Sequence, residues 1–159
     1  MTKKRICYTD PDGTVSLIVP APAFMAKFES EADGIAAVRA KALPVEATNV
    51  VELNDSDIPF RGGLRNAWRQ SSAAAPTVDM TVARAIKTES IRPERNARLA
   101  ALDVEYQRAD EASDNDEKGK IKTTKQELRD LPATIQSTLN GLSSPEDLDA
   151  YKPTWPTKS

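Results

Sequence analysis

The spacing of apolar positions changes character along this chain, and the changes divide it into segments. Arg5 to Thr9 and Val15 to Val19 are rich in Ile, Tyr, Thr and Val, the composition of strands that pack one face on a core. Between them Asp10-Pro11-Asp12-Gly13 is tight-turn chemistry, because proline presets φ and glycine accepts a positive φ. The two runs predict a β-hairpin, ended by Pro20 and Pro22, neither of which can donate to a ladder. Phe28, Ile35, Val38 and Ala42 then recur near the helical period, behind the capping sequence Ser30-Glu31-Ala32-Asp33. A helix is expected from Glu31 to Ala42, stopped near Pro44. Thr48 to Leu53 reads as a third strand, followed by an acidic turn at Asn54, Asp55 and Asp57. Residues 1–70 thus read as a small α+β unit whose helix covers one face of a hairpin. Phe60, Leu64, Ala67 and Trp68 form an apolar cluster around the Gly62-Gly63 break, expected as a helical turn or two. Residues 71–76, Ser-Ser-Ala-Ala-Ala-Pro, have linker composition.

From Thr77 the pattern becomes helical. Met80, Ala83 and Ile86 start a stripe with Asp79 as its N-cap, and Pro93 is expected to kink or restart that helix. Leu99, Leu102, Tyr106 and Ala109 follow at heptad a/d spacing. Ile121, Thr124, Leu128, Leu131 and Ile135 repeat that spacing after the polar segment Asp110 to Lys120, which carries a turn around Ser113-Asp114-Asn115. Two matched seams with a short connection predict an antiparallel helical hairpin over residues 77–140. Each seam spans about two heptads, fewer than the ~3–4 that secure an isolated coiled coil, so the hairpin should lean on something else. Leu131-Pro132 is expected to interrupt the second helix and Asn140-Gly141 to stop it. In residues 141–159, Ser144-Pro145-Glu146-Asp147 opens a short helix with Leu148 and Tyr151 on its apolar side. An extended tail with Pro153, Trp155 and Pro156 follows. Phe60, Trp68, Tyr151 and Trp155 are the aromatic residues expected to contact partners.

Composition narrows the function. Hydrophobic residues make up 39% of the 159, below the globular norm of roughly 45–50%, so the core is thin and calls for an oligomer or a partner's surface. With 22 basic and 24 acidic residues, the chain lacks the cationic excess that neutralises phosphates, and no nucleic-acid partner is expected. No apolar run approaches the ~20 residues of a membrane span. The stretch after the basic N-terminus is broken by Asp10, Asp12 and Gly13, so neither a membrane nor a signal peptide is expected. The single Cys7 reads as a small apolar strand residue.

Candidate chemistry is sparse. There is no histidine, which removes the usual general base, the Ser-His and Cys-His pairs and the commonest metal ligand. Asp103, Glu105, Asp110 and Glu111 sit on a charged helix face. The acidic run Asp110 to Glu117 lacks the central glycine and ligand spacing of a calcium loop, and Gly62-Gly63 is not followed by the Lys-Ser or Lys-Thr of a phosphate loop. Arg61, Arg65 and Arg69 recur every four residues, a solvated cationic face or a site for a phosphate or acidic partner. No catalytic residue, metal ligand or cofactor is assigned. The expected mode of action is contact with other proteins.

Several segments resemble a family of small proteins from tailed bacteriophages and prophages, encoded near tail or tail-fibre genes. They are Arg5-Ile6-Cys7-Tyr8-Thr9-Asp10-Pro11-Asp12-Gly13 with Val19-Pro20-Ala21-Pro22, Asp57-Ile58-Pro59 with Phe60-Arg61, and Arg65-Asn66-Ala67-Trp68. Further on, they are Val78-Asp79-Met80 with Ala83-Arg84, Ile91-Arg92, Leu99 to Tyr106 with Arg108-Ala109, Lys125 to Asp130, and Pro145 to Leu148. The Leu128-Arg129-Asp130 helix end with its proline is also similar to tail-fibre assembly chaperones. The chain departs from the family at Gly62-Gly63 and at Pro93. The resemblance implies a virion tail or tail-fibre component, made in the host cytoplasm and present in several copies among other phage structural proteins. The alternative it implies is an assembly chaperone that leaves the finished particle.

Overall fold

The computed structural model describes residues 4–158. It is α+β, with small antiparallel sheets in the N-terminal part and helices after them. The chain forms two compact units, one up to Ala83 and one from Arg84.

In the first unit, β1 (Lys4–Thr9) lies between β2 (Val15–Ile18) and β3 (Thr48–Asn54), antiparallel to both. The β1–β2 turn closes as its composition predicts: the Gly13 N–H donates to the Asp10 carbonyl at 2.9 Å, with Gly13 at φ +84°. Alternation along β1 sends Ile6 to one face and Cys7 to the other. Ile6 packs with Ile35 and Val38 of α2 (Glu31–Ala42), which follows the short α1 (Pro22–Met25). Ser30 caps α2 by accepting the Asp33 N–H at 3.1 Å. Gly34 of α2 lies under α1, where a Cβ would come within 2.6 Å of Met25 Cε. On the opposite face Cys7, Val15 and Leu53 pack around Trp68. Both faces of the sheet are therefore covered, and the fully buried Ile6 and Cys7 are adjacent in sequence.

Of two further expectations for this unit, one holds and one is corrected. The Pro59 to Gln70 stretch takes its expected helical turn after Gly62-Gly63 as a single 3₁₀ turn at Arg65–Ala67, which leads straight into β4 (Trp68–Arg69). Residues 71–76 are not an interdomain linker. They are the loop between β4 and β5 (Thr77–Val78), whose register is Trp68↔Val78 and Arg69↔Thr77. Two-residue strands carry too little pattern to read, and side-chain bonds hold the loop. Gln70 Nε2 donates to the Ala74 carbonyl at 2.8 Å and to the Asn49 carbonyl at 2.9 Å. Asn49, at φ +52°, sits where the β1–β3 register shifts, a bulge position that asparagine tolerates better than most residues.

Helix α3 (Met80–Ser90) carries the division between the units. Asp79 caps it, accepting the N–H groups of Thr81 at 2.9 Å and Val82 at 3.2 Å. At Pro93 the chain restarts: α4 (Arg92–Glu111) begins after the single residue Ile91, with Pro93 in the first turn, where a missing N–H costs nothing. Helix α5 (Asn115–Thr134) runs through Pro132 instead of breaking there, and α6 (Gln136–Gly141) begins after Ile135. Proline removes only its own bond. The Ile135 N–H still reaches the Leu131 carbonyl at 3.0 Å, and burial of Leu131, Ile135 and Leu139 keeps the stripe helical. The final helix, α7 (Pro145–Ala150), is capped by Ser144, which accepts the Asp147 N–H at 3.0 Å.

Candidate protein-binding surface

The second unit is built on the α4–α5 pair. The polar connection is shorter than its sequence suggests, because α4 continues to Glu111 and α5 starts at Asn115. Ser113 takes φ +56°, and the Asp114 N–H turns back to the Ala109 carbonyl at 2.8 Å, which ends α4 in a Schellman-type turn. Asp114 then caps α5 by accepting the Glu117 N–H at 3.0 Å. The helices run antiparallel: Asp103 pairs with Lys125 and Asp110 with Lys118, so one partner's number falls as the other's rises.

Between the helices Leu102, Ala109, Ile121 and Leu128 form a buried cluster, flanked by the half-buried Leu99 and Tyr106. Leu131 and Ile135 are buried as well, beyond that cluster. Trp155 of the extended tail packs on this seam. Its ring lies 4.6 Å from the Arg98 guanidinium, which also binds Glu94 at 2.8 Å. Three residues on, Lys158 Nζ bridges Glu105 of α4 and Glu117 of α5, at 2.5 Å from each. The tail is thus a strap across both helices. At the other end of the unit the Arg84 guanidinium donates to the carbonyls of Leu139 at 3.0 Å and Leu142 at 2.9 Å, placing a cation on the negative end of α6.

The four aromatic residues expected to contact partners have different fates. Trp68 is corrected: it is 1% exposed in the core of the first unit, and its indole N–H donates to the Phe60 carbonyl at 3.0 Å. Phe60 is half-buried in that unit. Tyr151 and Trp155 are half-buried in the helical unit, with Trp155 engaged by its own chain. Neither Lys158 nor Arg84 was legible as a tail or helix clamp, because their partners lie 41 to 58 residues away in sequence.

Hydrogen bonding from Lys118 holds the Asp110 carboxyl below its usual range and raises the Lys118 ammonium. Bonds to Glu105 and then Glu117 raise Lys158. A lowered carboxyl stabilises the fold above the ordinary carboxylate range, and that contribution fades as pH falls through the lowered value. A raised lysine stabilises it below the ordinary lysine range, and that contribution fades as pH rises through the raised value. Thermal melts followed at the helical signal should therefore be flat from about pH 5 to about pH 9 and fall on both sides. A midpoint that rises outside that window would contradict these pairings. Arg98→Ala should red-shift Trp155 emission and weaken the unit by about 0.5–1 kcal/mol, the size of an exposed cation–π contact. Unchanged emission would mean the strap is not seated.

Among the described residues no group of three His, Cys, Asp or Glu side chains is placed to hold a metal ion, and no helix is long and apolar enough to cross a membrane. What the helical unit offers is a charged two-helix surface with an aromatic strap, the makings of a protein-binding module. Residues 88–157, a little under half of the chain, match the family model described as phage tail assembly chaperone protein. The match runs from the last turn of α3 through α7 and the tail as far as Thr157, taking in Trp155 and stopping one residue short of Lys158. No curated protein and no solved structure matches the chain. The similarity supports a phage tail-related protein.

Proposed function

We propose that this protein is a phage tail assembly chaperone that binds a tail protein through its helical unit and is not retained in the virion. The observation that carries the reading is the family match, which coincides with one folded element: the α4–α5 hairpin, the α6–α7 segment and the tail strapped across them. This favours the assembly role over the virion component that the sequence first suggests, and it gives no support to a link with tail fibres. The mode of action is binding without turnover, in keeping with a chain that has no imidazole. Its partner is a phage tail protein, met in the host cytoplasm during assembly.

The test has two measurements. Lysates making the phage should yield a complex of this chain with a tail protein, lost when residues 88–157 are deleted. Purified particles should contain far less than one copy per tail by quantitative mass spectrometry. Stoichiometric copies in particles would return the assignment to a virion component. Normal tails from a phage lacking the gene would remove it from assembly altogether.

A further inference from the structure

The two edges of the three-stranded sheet are built differently. The β3 edge carries Glu52 and the bulge at Asn49, features that discourage strand addition. The β2 edge, Val15–Ile18, carries no charge, and neither does Val19 directly after it, which is 57% exposed. No strand pairs with it among the described residues.

Pairing geometry shows which backbone groups it offers. The Asp10 N–H donates to the Thr14 carbonyl at 2.8 Å, which makes that pair a hydrogen-bonded one. Alternation in an antiparallel ladder then turns the backbones of Ser16 and Ile18 towards Tyr8 and Ile6, their register partners. The N–H and C=O groups of Val15 and Leu17 point outward. A row of outward donors and acceptors is what an added strand requires.

The same edge is flanked on both faces of the sheet. Towards α2 lies an apolar groove of 280 Å³ lined by Ile18, Val19, Phe24, Val38 and Ala42, with Lys41 at its rim. Towards Trp68 lies a polar groove of 540 Å³ that follows Thr14 to Ser16 and carries Arg65 and Arg69. Asp12 also lines it at the turn end, its carboxylate accepting the Thr14 N–H at 2.8 Å. Among the described residues no carboxylate pairs with either arginine; Arg65 sits 5.0 Å from the Trp68 ring centroid. Successive side chains of an added strand point alternately into these two grooves.

We propose that the β2 edge takes an extended segment of another protein in which apolar and acidic residues alternate, the apolar ones entering the Phe24–Val38 groove and the acidic ones facing Arg65 and Arg69. A second copy's own β2 edge does not fit, because Val15 to Val19 has no acidic residue to offer the arginines. The site lies in the first unit, outside the matched residues 88–157, so it stands or falls separately from the chaperone reading.

The test uses the full chain and fluorescein-labelled, end-blocked octapeptides, one alternating valine with glutamate and one alternating valine with lysine. By fluorescence anisotropy the glutamate peptide should bind at least about ten-fold more tightly, a difference of about 1.4 kcal/mol. Val19→Lys, which charges an exposed position directly after the edge strand, should weaken it by about ten-fold with an unchanged melting temperature. Arg65→Gln should narrow the preference for glutamate over lysine. Equal affinity for the two peptides, or full binding by folded Val19→Lys, overturns the proposal. So does a dimer in sedimentation that Val19→Lys dissolves, which would make a second copy the occupant.

Discussion

Leu128→Ala is expected to destabilise the helical unit by about 3 kcal/mol, within the roughly 2–5 kcal/mol range for truncating a buried leucine. Leu128 is 1% exposed and shares a cluster with Leu102, Ala109 and Ile121. Ala109 and Thr124 are already small among the buried seam residues, so few large side chains are placed to collapse into the space left. In a domain whose whole stability is on the order of 5–15 kcal/mol, such a loss moves the urea midpoint well down. The measurement is urea unfolding followed by circular dichroism at the helical band, beside Val104→Ala as a control. Val104 is on the partner helix α4 and is 47% exposed, and its truncation should cost well under about 1 kcal/mol. Equal costs for the two would mean that the seam is not the core of the unit.

Trp68→Ala should have the larger effect, about 3–5 kcal/mol on the first unit. It empties the centre of the Cys7, Val15 and Leu53 cluster and leaves the Phe60 carbonyl without its indole donor. Cys7 provides the readout, because it is the chain's single cysteine and fully buried. Burial also pushes its thiol pKa up, despite the opposing charge of Arg65, so in the folded state it is protonated as well as shielded. When reclosing is faster than labelling, reaction with a disulfide reagent tracks the open population. Labelling should then accelerate by about two to four orders of magnitude in the variant. Trp68→Phe keeps most of the volume and should lie between the two. A wild-type labelling rate in Trp68→Ala would show that Trp68 does not close this core.

What could be read from residue order alone was whatever depends on neighbours a few positions away. The turn at Asp10 to Gly13, the Ser30, Asp79 and Ser144 caps, and the helix from Glu31 to Ala42 are all short-range. Each depends on a fixed φ, a side-chain oxygen within three residues or an apolar period. The heptad spacing of Leu102 with Ala109 and of Ile121 with Leu128 likewise placed a buried stripe on each helix, since a helix brings residues seven apart onto one face. Local rules also misled where burial overrode them, as when the stripe through Leu131, Ile135 and Leu139 carried the chain past Pro132.

Tertiary structure decided everything that joins distant residues. Trp68 reads as a member of an apolar cluster that could contact a partner until β4 and β5 pair and set it against the sheet. Trp155 reads as a contact for a partner until Arg98 lies over its ring and Lys158, three residues on, ties the tail to Glu105 and Glu117 of the two helices. The uncharged edge of β2 becomes an opening only when β1 takes the central place in the sheet. Such contacts are chosen by which surfaces remain to be buried once the local elements exist, and one element's residues do not encode that choice by themselves.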